Sequence, residues 1–140
     1  MKQIDKKTIV KFIKFGIVGV SGIFVNSGVL WFVHDFINIP LAIASLFAVG
    51  LSILTNFIFN DFWTWGENKT NRQHSYVHRL WRYYISASLG SGINYVVLLV
   101  LTHMFGIYYL IANLAGIFAG MFSNFILGER WVFKSKSMDN

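Results

Sequence analysis

The 140-residue chain has no cysteine, a single proline (Pro40) and only six acidic residues. The lack of cysteine excludes disulfides, thiolate nucleophiles and cysteine-ligated metals. The scarcity of proline leaves long helices unbroken. The scarcity of charge weighs most: 13% of residues are charged and 55% hydrophobic, so an ordinary soluble domain of this size would lack the polar surface to cover its apolar residues. Lipid must be the solvent for most of the chain, and residues 1–140 read as one membrane domain. Also missing are a glycine-rich nucleotide loop and a Ser-His-Asp set with arguable spacing. No cofactor is expected, and nothing marks the chain as an enzyme.

Four apolar runs are present: Phe12 to Val33, Leu41 to Asn60, Trp81 to Phe105 and Tyr108 to Leu127. Each is about the length a helix needs to cross roughly 30 Å of hydrocarbon. The expected fold is therefore all-α, an integral membrane protein of four transmembrane helices. The stretch from Asp61 to Arg79 reads as an exposed loop or a partly helical segment at the interface. Pro40 suits the first turn of the second helix. All twelve basic residues fall in three places: Lys2, Lys6, Lys7, Lys11 and Lys14; Lys69, Arg72, Arg79 and Arg82; Arg130, Lys134 and Lys136. The two hairpins on the other side have none, so the positive-inside rule puts both termini in the cytoplasm of a multi-pass protein of a bacterial cytoplasmic membrane. The net charge of +6 is explained by topology and anionic membrane lipids, not by nucleic acid.

Sliding the chain against itself by 68 positions superposes its halves without a gap. Lys11 falls on Arg79, Lys14 on Arg82, Gly22 on Gly90, Asn26 on Asn94, Asn56 on Asn124, Asp61 on Glu129 and Trp63 on Trp131. Apolar matches arise by chance, but paired amides and cations do not. The chain reads as two parallel two-helix repeats, about 9–66 and 77–134, related by a pseudo-twofold axis along the membrane normal. Small residues in Gly16-x-x-Gly19-x-x-Gly22, Ser88-x-x-x-Gly92 and Gly116-x-x-x-Gly120 provide flat faces for helix packing.

Polar residues within and beside the spans are the candidate site. Asn26, Asn56, Asn94 and Asn124 need partners in hydrocarbon: they either bond between helices or line a path for the hydroxyls of a sugar. At the cytoplasmic rim, Lys11, Lys14, Arg79, Arg82 and Arg130 can hold a lipid phosphate while Asp61 and Glu129 orient them. The same cations also serve as topology signals. His74 and His78 stand four apart, but no third ligand accompanies them, so no metal site is expected.

The phrases Lys14-Phe15-Gly16-Ile17-Val18-Gly19 and Asn56-Phe57-Ile58-Phe59-Asn60-Asp61-Phe62-Trp63-Thr64-Trp65, the second echoed by Asn124-Phe125-Ile126-Leu127-Gly128-Glu129-Arg130-Trp131-Val132-Phe133, resemble the GtrA-like family over about residues 9 to 134. The resemblance implies a role in cell-surface polysaccharide synthesis, as a flippase for a polyprenyl-phosphate-linked sugar such as an undecaprenyl-phosphate sugar. The sugar would serve O-antigen glucosylation or, more in keeping with this chain, teichoic-acid glycosylation of the cell wall. The alternative is a scaffold that binds a polyprenyl-phosphate glycosyltransferase and transports nothing. A homodimer is plausible for either role. One departure is the acidic pair Asp61 and Glu129 where the family often has a base, which directs the phosphate to Lys11, Lys14, Arg79 and Arg82.

Overall fold

A computed structural model describes residues 5–136, the Asn68 side chain excepted; Lys2 lies outside this range. The described residues are 84% helical and contain no strand. The chain forms two compact units that divide between Thr70 and Asn71. The first unit holds α1 (Lys6–Trp31), prolonged by a π-helical turn Phe32–Phe36, and α2 (Leu41–Phe59), prolonged by a π turn Asn60–Thr64 and a 3-10 turn Gly66–Asn68. The second holds α3 (Tyr76–His103) and α4 (Tyr109–Leu127), which ends in a π turn Gly128–Val132. With their extensions the four helices run to 31, 24, 28 and 24 residues. The shortest is about 36 Å long at 1.5 Å per residue, enough to cross the hydrocarbon.

Each unit is an antiparallel hairpin closed by the same device. Asn38 and Gly106 both have φ 64°, the left-handed conformation that asparagine and glycine accept most readily. Past them, Ile39 N–H donates to the Val33 carbonyl at 3.1 Å and Ile107 N–H to the Leu101 carbonyl at 3.0 Å. Each bond reaches back six positions, one more than the 6→1 bond of a Schellman motif, and consumes an orphan carbonyl at the helix end. Pro40 caps α2 from just outside its first turn. Tyr108 occupies the same place before α4.

Burial repeats with the sequence. In α1 the buried residues are Phe15, Val18 and Gly22; in α3 their counterparts Tyr83, Ser86 and Gly90 are buried, together with Arg79. Ala44, Ala48, Ser52 and Phe57 of α2 match Ala112, Gly116, Gly120 and Phe125 of α4. The spacing of three and four is one helix face, so each hairpin has a single seam. Phe15 meets Trp65 edge-on at 6.0 Å, and Tyr83 meets Phe133 at 6.0 Å. Elsewhere the helices show large apolar side chains outward, such as Phe24, Leu46, Val96 and Phe118, as lipid solvation requires.

The small-residue stripes contribute unequally. Gly22, Gly90, Gly116 and Gly120 touch the opposite helix closely, whereas Gly16, Gly19 and Gly92 have open space beside them. The reason is angular: on α1 the seam runs through residues 15, 18 and 22, and residues 16 and 19 stand on the adjacent face. The polar stretch after α2 is also shorter than its composition suggests. The helix continues through Asp61 and Thr64, both buried, and α3 begins at Tyr76. The π turns make the continuation possible, because Trp65 N–H reaches the Asn60 carbonyl and Phe133 N–H the Gly128 carbonyl, both at 2.9 Å. Ser75 caps α3 by accepting from His78 N–H at 3.4 Å.

Candidate functional site

In the first unit, the end of the hairpin where α1 begins and α2 finishes holds an open pocket of about 320 Å³ lined by Lys6, Lys7, Val10, Lys11, Lys14, Trp63, Thr64 and Glu67. Lys7, Lys11 and Lys14 gather there because spacings of three and four return to one helix face. The π turn of α2 brings Trp63 and Thr64 up to that face. Lys11 Nζ pairs with Glu67 Oε1 at 3.0 Å, its side chain only 13% exposed against 53% for Glu67. The Lys14 ammonium sits 5.4 Å from the centre of the Trp63 ring, a cation–π contact that leaves its charge uncompensated. Thr64 donates its hydroxyl proton to Asn60 Oδ1 at 2.8 Å.

Farther along the same seam lies a second open hollow, about 360 Å³, lined by Gly19, Gly22, Ile23, Asn26, Ser27, Ser52 and Asn56. Ser52 donates to the Gly22 carbonyl at 2.8 Å. The Asn56 amide lies against Gly22, where any β-carbon would collide with it. Its Oδ1 is buried and accepts no hydrogen bond. From Lys14 to Gly22 is eight residues of helix, roughly 12 Å. A cationic pocket and a polar hollow are thus stacked along one helix pair.

The second unit carries the same residues to a different end. Arg82 stands over Trp131 at 5.0 Å, as Lys14 does over Trp63. Its Nη1 also donates to the Trp131 carbonyl at 3.1 Å and approaches His74 Nε2 at 2.9 Å. A guanidinium has no acceptor, so Nε2 must carry the lone pair and His74 must be neutral. Burial, and next the charge of Arg82, lower the His74 pKa below its ordinary 6.5. Arg79 is buried and donates to the His74 carbonyl at 2.7 Å. The segment after α4 then folds back: Arg72 and Ser135 form an antiparallel bridge, flanked by Gln73 N–H to the Lys134 carbonyl at 3.1 Å and Lys136 N–H to the Asn71 carbonyl at 2.8 Å.

Lys11 and Lys14 therefore share a pocket, as Asn26 and Asn56 share the hollow. Arg79 and Arg82 come together on His74. Arg130 is exposed on its π turn, with Glu129 beside it half-buried, and Asp61 is buried on the corresponding turn of the first unit. In the second unit Asn124 lies against Gly90 and Asn94 against Gly116, and the Oδ1 atoms of both asparagines are buried without a hydrogen bond. Glu67, Lys6, Lys7, Thr64 and the holding role of His74 escaped the sequence reading. The coincidence of Lys14 with Arg82 and of Trp63 with Trp131 at one offset was the available signal for the stacked pairs. Glu67 had none, because Ser135 stands at its counterpart. Among the described residues no three of His, Asp and Glu gather as metal ligands would.

Taken together, these features define a multi-pass helical membrane protein built from tandem hairpins, each with a charged end and a seam of amides against glycines. The chain belongs to the GtrA/DPMS transmembrane-domain family, which it matches over residues 14–133. It is also similar to a protein of Pyrococcus furiosus named dolichol-phosphate mannosyltransferase, with 47% identity over 107 residues, which make up 76% of this chain and 29% of that protein. The chain thus spans less than a third of the curated relative's length.

Proposed function

We propose that this chain carries a polyprenyl-phosphate-linked sugar across the membrane for the glycosylation of a cell-surface polymer. The observation that carries the reading is the stacking, along the first unit's seam, of a lysine-lined pocket and an asparagine-lined hollow. A lipid-linked sugar phosphate offers an anion beside a set of hydroxyls, joined to an apolar tail, and would meet the two hollows in turn as it moves along the seam. The pocket supplies Lys11 and Lys14 for the phosphate, in a setting where charge-assisted contacts are strong. The Asn56 Oδ1, buried and unsatisfied, supplies an acceptor for a hydroxyl. The tail stays outside, against the apolar helix surfaces. Bare hydrocarbon would oppose the sugar phosphate prohibitively, and a polar seam lowers that barrier. The charged ends face the cytoplasm in this reading, where the sugar donor is made, and its use on the far side pulls transport downhill. The seams carry no group that we assign to chemistry on the sugar.

The test is direct. Liposomes holding the purified protein should expose a fluorescent polyprenyl-phosphate sugar in the opposite leaflet faster than empty liposomes do; equal rates would sink the carrier reading. A second reading is favoured by the mannosyltransferase relative, of which only 29% corresponds to this chain. In it the module holds the lipid substrate for a separate glycosyltransferase. Equal flipping rates together with faster sugar transfer by an added transferase would select that role.

A further inference from the structure

Resting on the assignment of the first unit's pocket to a lipid phosphate, we propose that Glu67 is a built-in stand-in for that phosphate, displaced when the ligand binds, and so sets the affinity of the site. Lys11 is nearly buried and Glu67 is more than half exposed, yet they pair at 3.0 Å. A nearly buried ammonium needs a counter-ion, since desolvation without one is costly. An exposed carboxylate on a three-residue turn, Gly66–Asn68, can instead swing into water at little cost. The pair is therefore built from a cation that stays and an anion that can leave.

The rest of the pocket argues the same way. Lys6, Lys7, Lys11 and Lys14 line it against the single carboxylate of Glu67, so the pocket keeps an excess of positive charge with Glu67 in place. Lys14 is steadied by the Trp63 face rather than by an acid. The Thr64 hydroxyl proton is committed to Asn60, which leaves the ammonium groups, with the Trp63 indole N–H, as the side-chain donors for an arriving phosphate. At the matching place in the second unit Ser135 is buried and its segment is bridged to Arg72. A displaceable carboxylate at this position therefore belongs to the first unit.

The experiment measures binding of a short-chain polyprenyl monophosphate to the full chain in phosphatidylcholine nanodiscs. Glu67→Gln should tighten binding about two- to fivefold, the range of a partly exposed ion pair. Glu67→Ala should do the same, which guards against one variant that folds poorly. In a Lys11→Gln background, where binding is weaker from the start, the gain from Glu67→Gln should vanish. Unchanged binding in both Glu67 variants would show that Glu67 does not compete with the phosphate, and weaker binding that it positions Lys11; either, with Lys11→Gln still harmful, would overturn this proposal while leaving the phosphate site standing. Binding unaffected by Lys11→Gln and Lys14→Gln together would overturn the phosphate site itself, and this proposal with it. Inorganic phosphate, added as competitor, distinguishes a free anion from a lipid headgroup. Displacement of the probe from wild type, and at lower phosphate from Glu67→Gln, supports the stand-in with a free anion as sufficient ligand. A lack of displacement alongside the Glu67→Gln gain supports it with a lipid-held phosphate.

Discussion

Thr64 and Val132 occupy the same place in their repeats, as do Ala48 and Gly116, Ser52 and Gly120, and Glu67 and Ser135. In the first unit these positions hold a hydroxyl at the pocket wall, larger residues along the seam and a solvent-facing carboxylate. In the second they are a buried valine, two glycines that let the backbones touch, and a buried serine. The contrast extends to the cations. Lys14 meets an aromatic face alone, whereas Arg82 adds bonds to a carbonyl and a histidine nitrogen. One duplicated hairpin thus has an open, polar seam and the other a tight one, which teaches that duplication preserves the hairpin while a few substitutions change how closely its helices approach. In membranes this is inexpensive, because small residues at an interface decide how closely helices approach.

The largest expected effect tests tightness. A β-carbon at Gly120 would stand 2.6 Å from the Gly90 carbonyl oxygen, a backbone atom that cannot step aside. Gly120→Ala should therefore cost about 1–3 kcal/mol of stability, the usual range for overpacking. Ser52→Ala, which removes one interhelical hydrogen bond, should cost only about 0.6 kcal/mol. Unfolding by denaturing detergent measures both, and equal losses would break the comparison.

Next comes the division between binding and holding. Lys11→Gln with Lys14→Gln should weaken polyprenyl-phosphate binding roughly tenfold, as loss of contacts to a charged group implies. Arg82→Gln should loosen the second unit and change binding far less. The reverse pattern, seen by equilibrium binding in nanodiscs, would move the phosphate to the second unit. Asn26→Ala sharpens the reading within the first unit. It should weaken binding of the sugar-bearing lipid by about threefold, one hydrogen bond's worth, and leave the sugar-free lipid unaffected.

The smallest effect is on pH. His74 is held neutral in the folded state by burial and by Arg82, with its pKa below 6.5. Below about 6.5 the unfolded chain takes up a proton that the folded one refuses, so stability falls with pH until the lowered folded value is passed. His74→Gln should flatten that slope in detergent unfolding between neutral and acid pH. No such change is expected from first-unit variants.

Much of this architecture is legible in the one-dimensional pattern. Four runs of lipid-compatible length, the repeat that pairs Asn56 with Asn124 and Gly22 with Gly90, and the grouping of the described cations at one end of each hairpin follow from composition and spacing, because solvation by lipid leaves few alternatives. What escaped reading depends on contacts between residues far apart or on local backbone geometry. The π turns after Phe59 and Leu127 lengthen helices that composition alone would end at the polar residues Asp61 and Glu129. Gly16 and Gly22 are indistinguishable as letters, and only the rotation of α1 decides which of them meets α2.

By itself, the sequence determined that this is a tandem-hairpin membrane protein, because hydropathy and helix length answer to the bilayer and not to other residues. Only the tertiary structure decided that Glu67 sits on Lys11, that His74 holds Arg82, and that one hairpin is open where its twin is closed. Those outcomes turn on ångström-scale approach across a seam, which the identities of single residues do not encode.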